Sequence, residues 1–361
     1  MTNENYLKIK SIKKFPIFMG AVNKSFKVEK QDMNFQIDQN SGKIRIYPRV
    51  SLKKLYKHNH GEGTTGLTWQ LHHRIFFNYC KKYIRGNILE IGAGSNSIIK
   101  YISDFSKINK FVSIGKNISL TRKNKKIIRM DKFIKLEKLN EKFDLIIHSH
   151  FFEHTFNPNK FLKSIKLKLS QDGLHIFSMP NMKQMVKKGL ANAVSFEHPY
   201  YYDQDLVKSY LESNYFKIKN KKNFGKSHSV MYQTTITKNK KNFIYNKYNE
   251  NKKLFNNLFN KWERDVKKIN FFLKKKEKVY LFGAHIFSQL IIYLNLNKGI
   301  NGILDNDKLK QNKYLCGTNY KIFPPLKLKG QGKVYVYLRA GQYDVEIKKQ
   351  IKNINNKVVF I

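Results

Sequence analysis

The sequence predicts an α/β fold: a doubly wound, mostly parallel sheet, followed by a second and smaller domain of the same class. Two observations carry this prediction. Short apolar strands alternate with helical segments from residue 86 to about 180, and the same alternation begins again near residue 278. The strands are apolar along their whole length, which is typical of strands that helices cover on both faces of a sheet.

The first alternating region contains five predicted strands, at 87–91, 110–114, 126–130, 143–148 and 173–179. Apolar residues at helical spacing predict helices at 69–83, 98–105 and 161–169. Before them, alternating segments and turn residues indicate short strands. The second region has predicted strands at 279–282, 303–305, 333–338 and 358–361, with a helix at 286–296.

A Lys- and Asn-rich stretch separates the two regions, and its apolar residues recur at helical intervals. We therefore expect four parts in the chain. They are an N-terminal β-containing extension (1–70), the main domain (71–240), a connecting helix (241–276) and a C-terminal substrate-binding domain (277–361).

Composition favours a folded protein of the cytoplasm. The chain has 361 residues, 41 % of them hydrophobic, which is enough for two or three domains with cores of their own. No apolar run approaches the roughly 20 residues that span a bilayer, and the first residues lack the pattern of a signal peptide. The chain has 2 cysteines, far apart and without motif spacing, so we expect neither a disulfide framework nor a cysteine zinc site.

The net charge of +45 admits two interpretations. Clustered cations bind nucleic acid or an anionic membrane surface. Here, however, the excess is mostly Lys spread along the chain, while Arg, the better residue for phosphate and base contacts, is scarce. We interpret the charge as compositional and expect no nucleic-acid partner.

A glycine loop directly follows the first strand of the main domain, in Glu90-Ile91-Gly92-Ala93-Gly94. Glycines at such a turn let the backbone bend sharply and approach a ligand closely. The pattern alone also fits a dinucleotide site or a plain tight turn. Glu90 favours a cationic or amino-acid-like ligand over a pyrophosphate.

Two further stretches make the region resemble the S-adenosylmethionine-dependent methyltransferase superfamily, whose domain is Rossmann-like. They are Phe143–His154 with the downstream Pro158, and 167–181 with Met179-Pro180-Asn181 after its strand. The resemblance implies S-adenosylmethionine as the cofactor. It implies cofactor contacts from these residues: Glu90, Gly92, Ala93, Gly94, Asp131, His148, Ser149 and His150. One departure is Gly115, which stands where the family usually has an acidic residue for the ribose hydroxyls.

Three histidines within seven positions, His148, His150 and His154, also suggest zinc. No carboxylate or cysteine partner has motif spacing, and we expect no metal site there.

A second resemblance concerns the acceptor. Glu197-His198 before an aromatic segment, together with the C-terminal domain that begins Val279-Tyr280-Leu281-Phe282-Gly283, is similar to sugar-nucleotide C-methyltransferases. It implies a nucleotide-linked keto-sugar substrate, with His198 as the general base and Glu197 and His154 assisting. The chain lacks that family's four zinc-binding cysteines, which points to a zinc-free branch.

Three alternatives stay open: O- or N-methylation of a sugar or related surface-polysaccharide metabolite, a nucleic-acid-binding or RNA-modifying protein suggested by the charge, and a non-catalytic scaffold suggested by Gly115. The oligomeric state is not predicted.

Overall fold

The computed structural model describes residues 5–55, 57, 67–92, 97–115, 124–130, 136–225, 228–241 and 243–361. The chain forms two compact units, which do not follow chain order. The seven-stranded unit comprises residues 63–183 and 202–245, and the five-stranded unit comprises residues 1–62, 184–201 and 246–361.

The strands are, in chain order, β1 (Tyr6–Pro16), β2 (Ala21–Val22), β3 (Lys30–Asp38), β4 (Ile44–Tyr47), β5 (Gly86–Ile91), β6 (Ile108–Ile114), β7 (Ile127–Met130), β8 (Phe143–Ser149), β9 (Leu169–Pro180), β10 (Phe216–Phe224), β11 (Ser229–Ile236), β12 (Val279–Phe282), β13 (Gly302–Leu304), β14 (Tyr314–Leu315), β15 (Ile322–Phe323), β16 (Val334–Tyr337) and β17 (Val358–Phe360). The α-helices are α1 (Leu52–Leu55), α2 (Leu67–Cys80), α3 (Pro158–Lys168), α4 (Met182–Lys188), α5 (Gln204–Ser213), α6 (Tyr248–Lys274), α7 (Ile286–Tyr293) and α8 (Asp344–Ile354).

The seven-stranded unit has one sheet in the order β10-β11-β9-β8-β5-β6-β7. The five strands from β9 to β7 pair in parallel, whereas β11 and β10 are antiparallel. This confirms the predicted α/β class with a mostly parallel sheet. Four of the predicted strands match β5, β6, β7 and β8 closely, and the fifth, β9, is longer at both ends.

The helix predicted at 98–105 is wrong in type and length. The structure has a 3₁₀ helix at Ile98–Tyr101, and its N-cap Ser97 accepts a hydrogen bond from the amide of Ile99. Ile102 is already extended, with φ −78° and ψ 114°, but it is buried like Ile98 and Ile99. The apolar periodicity therefore reports residues that face the core, not a continuous helix.

One hydrophobic cluster of this unit lies between its sheet and the helical segments on one face. Buried strand residues pack there against Phe76 of α2 and Ile99 of the 3₁₀ helix. The strand residues include Ile88, Phe111, Leu145, Ile147 and Met231. Burying a side chain of this size stabilises the fold by about 1.5–3 kcal/mol. The packing fixes the ends of β5 and β8, which matter for the site.

The five-stranded unit has a parallel sheet in the order β15-β13-β12-β16-β17. Apolar residues cover both faces, in two clusters. The second strand–glycine–helix pattern of the sequence accordingly forms a second α/β sheet, and Gly283 takes a left-handed φ of +99° directly after β12.

The same unit also contains an antiparallel sheet of β1, β3 and β4. The buried ring of Phe35 on β3 contacts Phe259 and Trp262 of α6, with ring centroids 5.2 and 6.4 Å away. The segment expected to connect two domains is thus largely one long helix, α6, whose apolar stripe packs within this unit.

Among the described residues, no helix is long and apolar enough to cross a membrane.

Candidate functional site

The candidate site lies at the carboxyl edge of the seven-stranded sheet. In α/β sheets, ligands bind outside the carboxyl ends of the parallel strands. Strands β5 and β8 end at this edge, and because β11 runs antiparallel to β9, its first residue reaches the same edge. Residues that are far apart in the sequence therefore meet there.

Gly92 turns the chain immediately after β5. Its φ is +72°, a left-handed conformation that glycine adopts without strain, and its amide donates a 2.7 Å hydrogen bond to the carbonyl of Ile114. A Cβ at this position would lie 2.5 Å from Cδ2 of Phe151. Both the backbone angle and the ring therefore require glycine at this turn.

Glu90 lies on β5, two residues before Gly92; it is buried, and three protein groups donate hydrogen bonds to its carboxylate. The hydroxyl of Ser97 hydrogen bonds to it, the amide of Ile98 donates over 2.8 Å, and the hydroxyl of Ser113 donates over 3.2 Å. Burial raises the pKa of Glu90 to about 7, although these donors favour its charged form. In this structure the carboxylate of Glu90 connects the end of β5 to the start of the following 3₁₀ helix through hydrogen bonds. Its contact with the cofactor stays a prediction.

Three of the predicted cofactor residues, Ala93, Gly94 and Asp131, lie outside the described residues. Gly115 is described: it follows β6, and its amide donates to the carbonyl of Met130 over 3.2 Å. The position thus carries a main-chain contact between neighbouring strand ends and no side chain for the ribose.

His148 and Ser149 make internal contacts at the end of β8. The Nε2 atoms of His148 and His175 are 2.9 Å apart, and the His148 ring stacks on Phe177, with centroids 4.9 Å apart. The hydroxyls of Ser149 and Ser178 are 2.8 Å apart. The imidazole of His148 belongs to the interior, and its contact with the cofactor stays a prediction.

His150 has a different surrounding. It follows β8 with a left-handed φ of 50°, which is rare for a residue with a side chain and is found often at functional sites. Its ring lies in a group with His72 of α2 and His228, the residue before β11. One ring nitrogen from each of the three lies within 4.8 Å of those from the other two.

An indole lies against this histidine group. The ring of Trp69, three residues before His72 on the same face of α2, is centred 4.7 Å from His150 and 4.5 Å from His228, both edge to face. The structure brings Trp69 and His72 to the edge where β5 and β8 end.

All three imidazoles are neutral at physiological pH. Burial lowers the pKa of His150 and of His228 to about 3. Burial, followed by the charges that the neighbouring histidines would carry, lowers the pKa of His72 further still. The group therefore offers uncharged nitrogen lone pairs in a poorly solvated place.

The predicted catalytic residues fall in different units. His154 ends a 3₁₀ helix at Phe152–His154 in the seven-stranded unit, whereas Glu197 and His198 belong to the five-stranded unit. His198 is buried, and its Nδ1 lies 3.2 Å from the carbonyl oxygen of Ala193. That carbonyl can only accept, so Nδ1 carries the proton and Nε2 carries the lone pair.

Sequence reasoning identified neither His72 nor His228 as a neighbour of His150. No motif spacing links them to His150, because the three come from a helix, a strand end and a strand start. The one available signal was topological, since an added antiparallel strand starts at the edge where parallel strands end.

Comparison with known proteins agrees with the geometry. Residues 70–219 match the family model described as "Methyltransferase domain", which covers less than half of the chain. No curated protein matches the sequence.

The solved structures to which the chain is similar share little sequence with it. An S-adenosylmethionine-dependent methyltransferase from Mesorhizobium loti is 12% identical, with 48% of this chain and 99% of that chain covered and a TM-score of 0.37. The magnesium protoporphyrin IX methyltransferase from Synechocystis PCC 6803, with bound S-adenosylhomocysteine, is 11% identical, with coverages of 50% and 93% and a TM-score of 0.38. The N-methyltransferase NodS from Bradyrhizobium japonicum is 9% identical, with coverages of 48% and 99% and a TM-score of 0.37. At these values the likenesses carry no conclusion about the acceptor.

The glycine turn at the carboxyl edge of a parallel sheet and the match to the family model identify the same segment. Residues 70–219 therefore contain a domain of the methyltransferase type, with the glycine turn inside it.

Proposed function

We propose that the protein is an enzyme that uses S-adenosylmethionine to methylate a small molecule, at a carbon atom of a nucleotide-linked keto-sugar, with His198 as the general base. The cofactor supplies an already activated methyl group, so the chain has to position the acceptor and make it electron-rich. A carbon acid needs a base to remove a proton beside the ketone. The resulting enolate then takes the methyl group, and S-adenosylhomocysteine leaves.

The observation that carries the base assignment is the fixed tautomer of His198. The contact of Nδ1 with the carbonyl of Ala193 keeps the proton on Nδ1 and leaves Nε2 basic. An imidazole has an unperturbed pKa near 6.5, which suits proton abstraction near neutral pH. Glu197 precedes it in the chain and is half-buried. The resemblance that assigns the base role to His198 also implies assisting roles for Glu197 and His154.

The five-stranded unit supports the choice of a nucleotide-linked acceptor. It repeats the strand–glycine–helix turn with Gly283, and the carboxylate of Asp305 after β13 accepts a 2.7 Å hydrogen bond from the amide of Ala284. Ligands of open α/β sheets bind beside turns of this type, at the carboxyl ends of the parallel strands. The excess of Lys also favours a diphosphate-bearing substrate over a neutral one.

Proton exchange in deuterated water tests the proposal. With a keto-sugar nucleotide and no cofactor, the enzyme should exchange the proton beside the ketone. His198→Asn should abolish both exchange and methyl transfer, because asparagine can still donate to the carbonyl of Ala193 but cannot accept the proton. The matched variant Glu197→Gln should slow exchange without abolishing it.

Two outcomes contradict the mechanism. Exchange that His198→Asn leaves unchanged removes the base assignment. Methyl transfer to the sugar without any exchange favours O- or N-methylation, where the acceptor needs only a hydroxyl or a neutral amine.

A further inference from the structure

We propose that His72, His150 and His228 form a binding site for one divalent transition-metal ion of the zinc class, at the carboxyl edge of the seven-stranded sheet. The proposal does not depend on which acceptor is methylated.

The geometry of the three rings fits a tripod of imidazole ligands. Their nitrogens lie within 4.8 Å of one another, and zinc–nitrogen distances of about 2.1 Å would place them about 3.4 Å apart in a tetrahedral site. Rotation of the imidazole rings on binding would bring the three nitrogens from their present separations to those of a tetrahedral site. Three protein ligands with a fourth position left open are typical of catalytic rather than structural zinc sites.

His72 is the strongest single indication. It is fully buried, and neither of its ring nitrogens has a hydrogen-bond partner within the described part of the chain. An imidazole that is buried without partners is destabilising by about 1–3 kcal/mol. A metal ion between the three rings would satisfy the side chain, whereas ordinary core packing leaves it unexplained.

The surroundings hold the other two rings in place. The hydroxyl oxygen of Ser229 lies 2.8 Å from Nε2 of His150 and also contacts Nδ1 of His228, so both rings lie beside the same hydroxyl group. On the other side of the first ring, Oε1 of the buried Glu153 lies 3.3 Å from Nδ1 of His150. A carboxylate beside the second nitrogen of a ligating histidine is the usual arrangement around metals, because it orients the ring and makes it more basic.

The access and the position of the site are also compatible with binding. The His150 side chain keeps 17% of its surface exposed, which gives an ion a route from solvent. His150 stands directly before Phe151, the ring that packs on Gly92, so the ion would lie beside the predicted cofactor turn.

This triad differs from the one that the sequence suggested. His148 pairs with His175 in the interior, and His150 is the one member that the two sets share. The absence of motif spacing, which argued against a metal, does not apply to ligands that come from three separate elements.

Metal titration of the untagged full-length chain tests the site. After removal of metals with a chelator, Co²⁺ should bind in one equivalent and develop the visible absorption of a four- or five-coordinate ion, and Zn²⁺ should displace it. His228→Gln and His150→Gln should each abolish that spectrum, with folding checked by circular dichroism. Glu153→Gln should lower the Zn²⁺ affinity about 10–100-fold while one equivalent still binds.

His73→Gln is the matched control. His73 neighbours His72 on α2 and is also buried, but it lies outside the triad, so this variant should bind Co²⁺ as the parent chain does. The proposal is overturned if the parent chain takes up no Co²⁺ or Zn²⁺ at micromolar concentrations, if His228→Gln and His150→Gln keep the spectrum, or if His73→Gln loses it as completely as they do.

Discussion

Gly92 sets the shape of the cofactor turn through two separate restrictions. One is its left-handed φ of +72°, and the other is the 2.5 Å approach that a Cβ would make to the ring of Phe151. Left-handed backbone costs a residue with a side chain roughly 1–2 kcal/mol. The close approach adds to this, because the ring has to move.

We therefore expect Gly92→Ala to lower the S-adenosylhomocysteine affinity at least about tenfold, which corresponds to about 1.4 kcal/mol, and to lower the melting temperature. Isothermal calorimetry and thermal unfolding measure the two effects. Gly330→Ala is the control, since Gly330 has a φ of +74° but nothing within 4 Å of the added Cβ. An equal loss of ligand affinity in both variants would contradict the steric argument.

His175 gives the seven-stranded unit a dependence on pH. Burial lowers its pKa to about 3 in the folded protein, against about 6.5 for an unfolded chain. Between these values the unfolded chain binds one more proton, so stability falls as the pH is lowered. The loss is about 1.4 kcal/mol per pH unit below 6.5, or roughly 2 kcal/mol at pH 5.

His175→Gln should remove this one-proton contribution, so that the variant loses less stability than the parent chain between pH 7.5 and pH 5. Denaturant unfolding at the two pH values measures the difference. The variant starts from a lower stability at pH 7.5, because the ring that contacts His148 and Thr234 is gone. An unchanged pH dependence would show that His175 is not the group that titrates.

At this scale the sequence predicted well where chemistry requires one residue type. Gly92 and Glu90 lie at the turn that the glycine pattern indicated. It predicted poorly where a residue's role depends on what packs around it. His148 and His150 are two positions apart, yet one pairs inside the sheet and the other joins His72 and His228. No property of the local sequence distinguishes them.

Among the elements, helix α6 is held both by aromatic packing and by a buried side-chain hydrogen bond. The fully buried indole of Trp262 contacts Phe35 and Phe259, and its Nε1–H donates a 2.9 Å hydrogen bond to the carbonyl of Gly189. Replacement by a smaller ring leaves that carbonyl without its donor and leaves space in the core. Each effect is worth roughly 1–2 kcal/mol.

Trp262→Phe should therefore destabilise the five-stranded unit by about 2–3 kcal/mol. Phe271→Leu on the same helix is the control: its ring is 52% exposed, and such surface changes stay within about 0.5 kcal/mol. Urea unfolding, followed by the circular dichroism of the backbone and not by tryptophan fluorescence, compares the free energies of unfolding of the two variants. Equal effects at the two positions would mean that the helix is held by something other than its buried stripe.

The elements themselves were predicted from periodicity with uneven success. Strands β5 to β8 were found because runs of apolar residues mark them locally, and helix α3 was found because its apolar residues recur at helical spacing. The pairing of β1 with β3 and β4 was not predicted, because it depends on contacts between segments that are far apart in the chain. The segment 98–105 kept its burial but not its helical form.

At the scale of the whole molecule, the question is what the net charge of +45 does. Ion pairs of the described residues use only a part of the lysines, and those pairs lie mostly at the surface, where each contributes about 0–1 kcal/mol. Most of the charge is therefore available to attract anions of any kind. This charge predicts affinity for polyanions without requiring a nucleic-acid substrate.

We expect the protein to bind duplex DNA and single-stranded RNA at low salt, without sequence preference. The affinity should fall steeply with salt, because binding releases condensed cations in proportion to the phosphates contacted, with a logarithmic slope of about −0.9 for each contact on duplex DNA. Near physiological salt we expect a dissociation constant no tighter than about 10⁻⁶ M.

Filter binding across a salt series measures this affinity. Labelled S-adenosylmethionine measures methyl transfer to the same RNA, which should be absent. Tight binding that persists at high salt, or label incorporated into RNA, would mean that the charge serves recognition and that the acceptor is not a small molecule. With neither, the charge is a general attraction for anions, and the acceptor is selected by the residues that surround the methyl group.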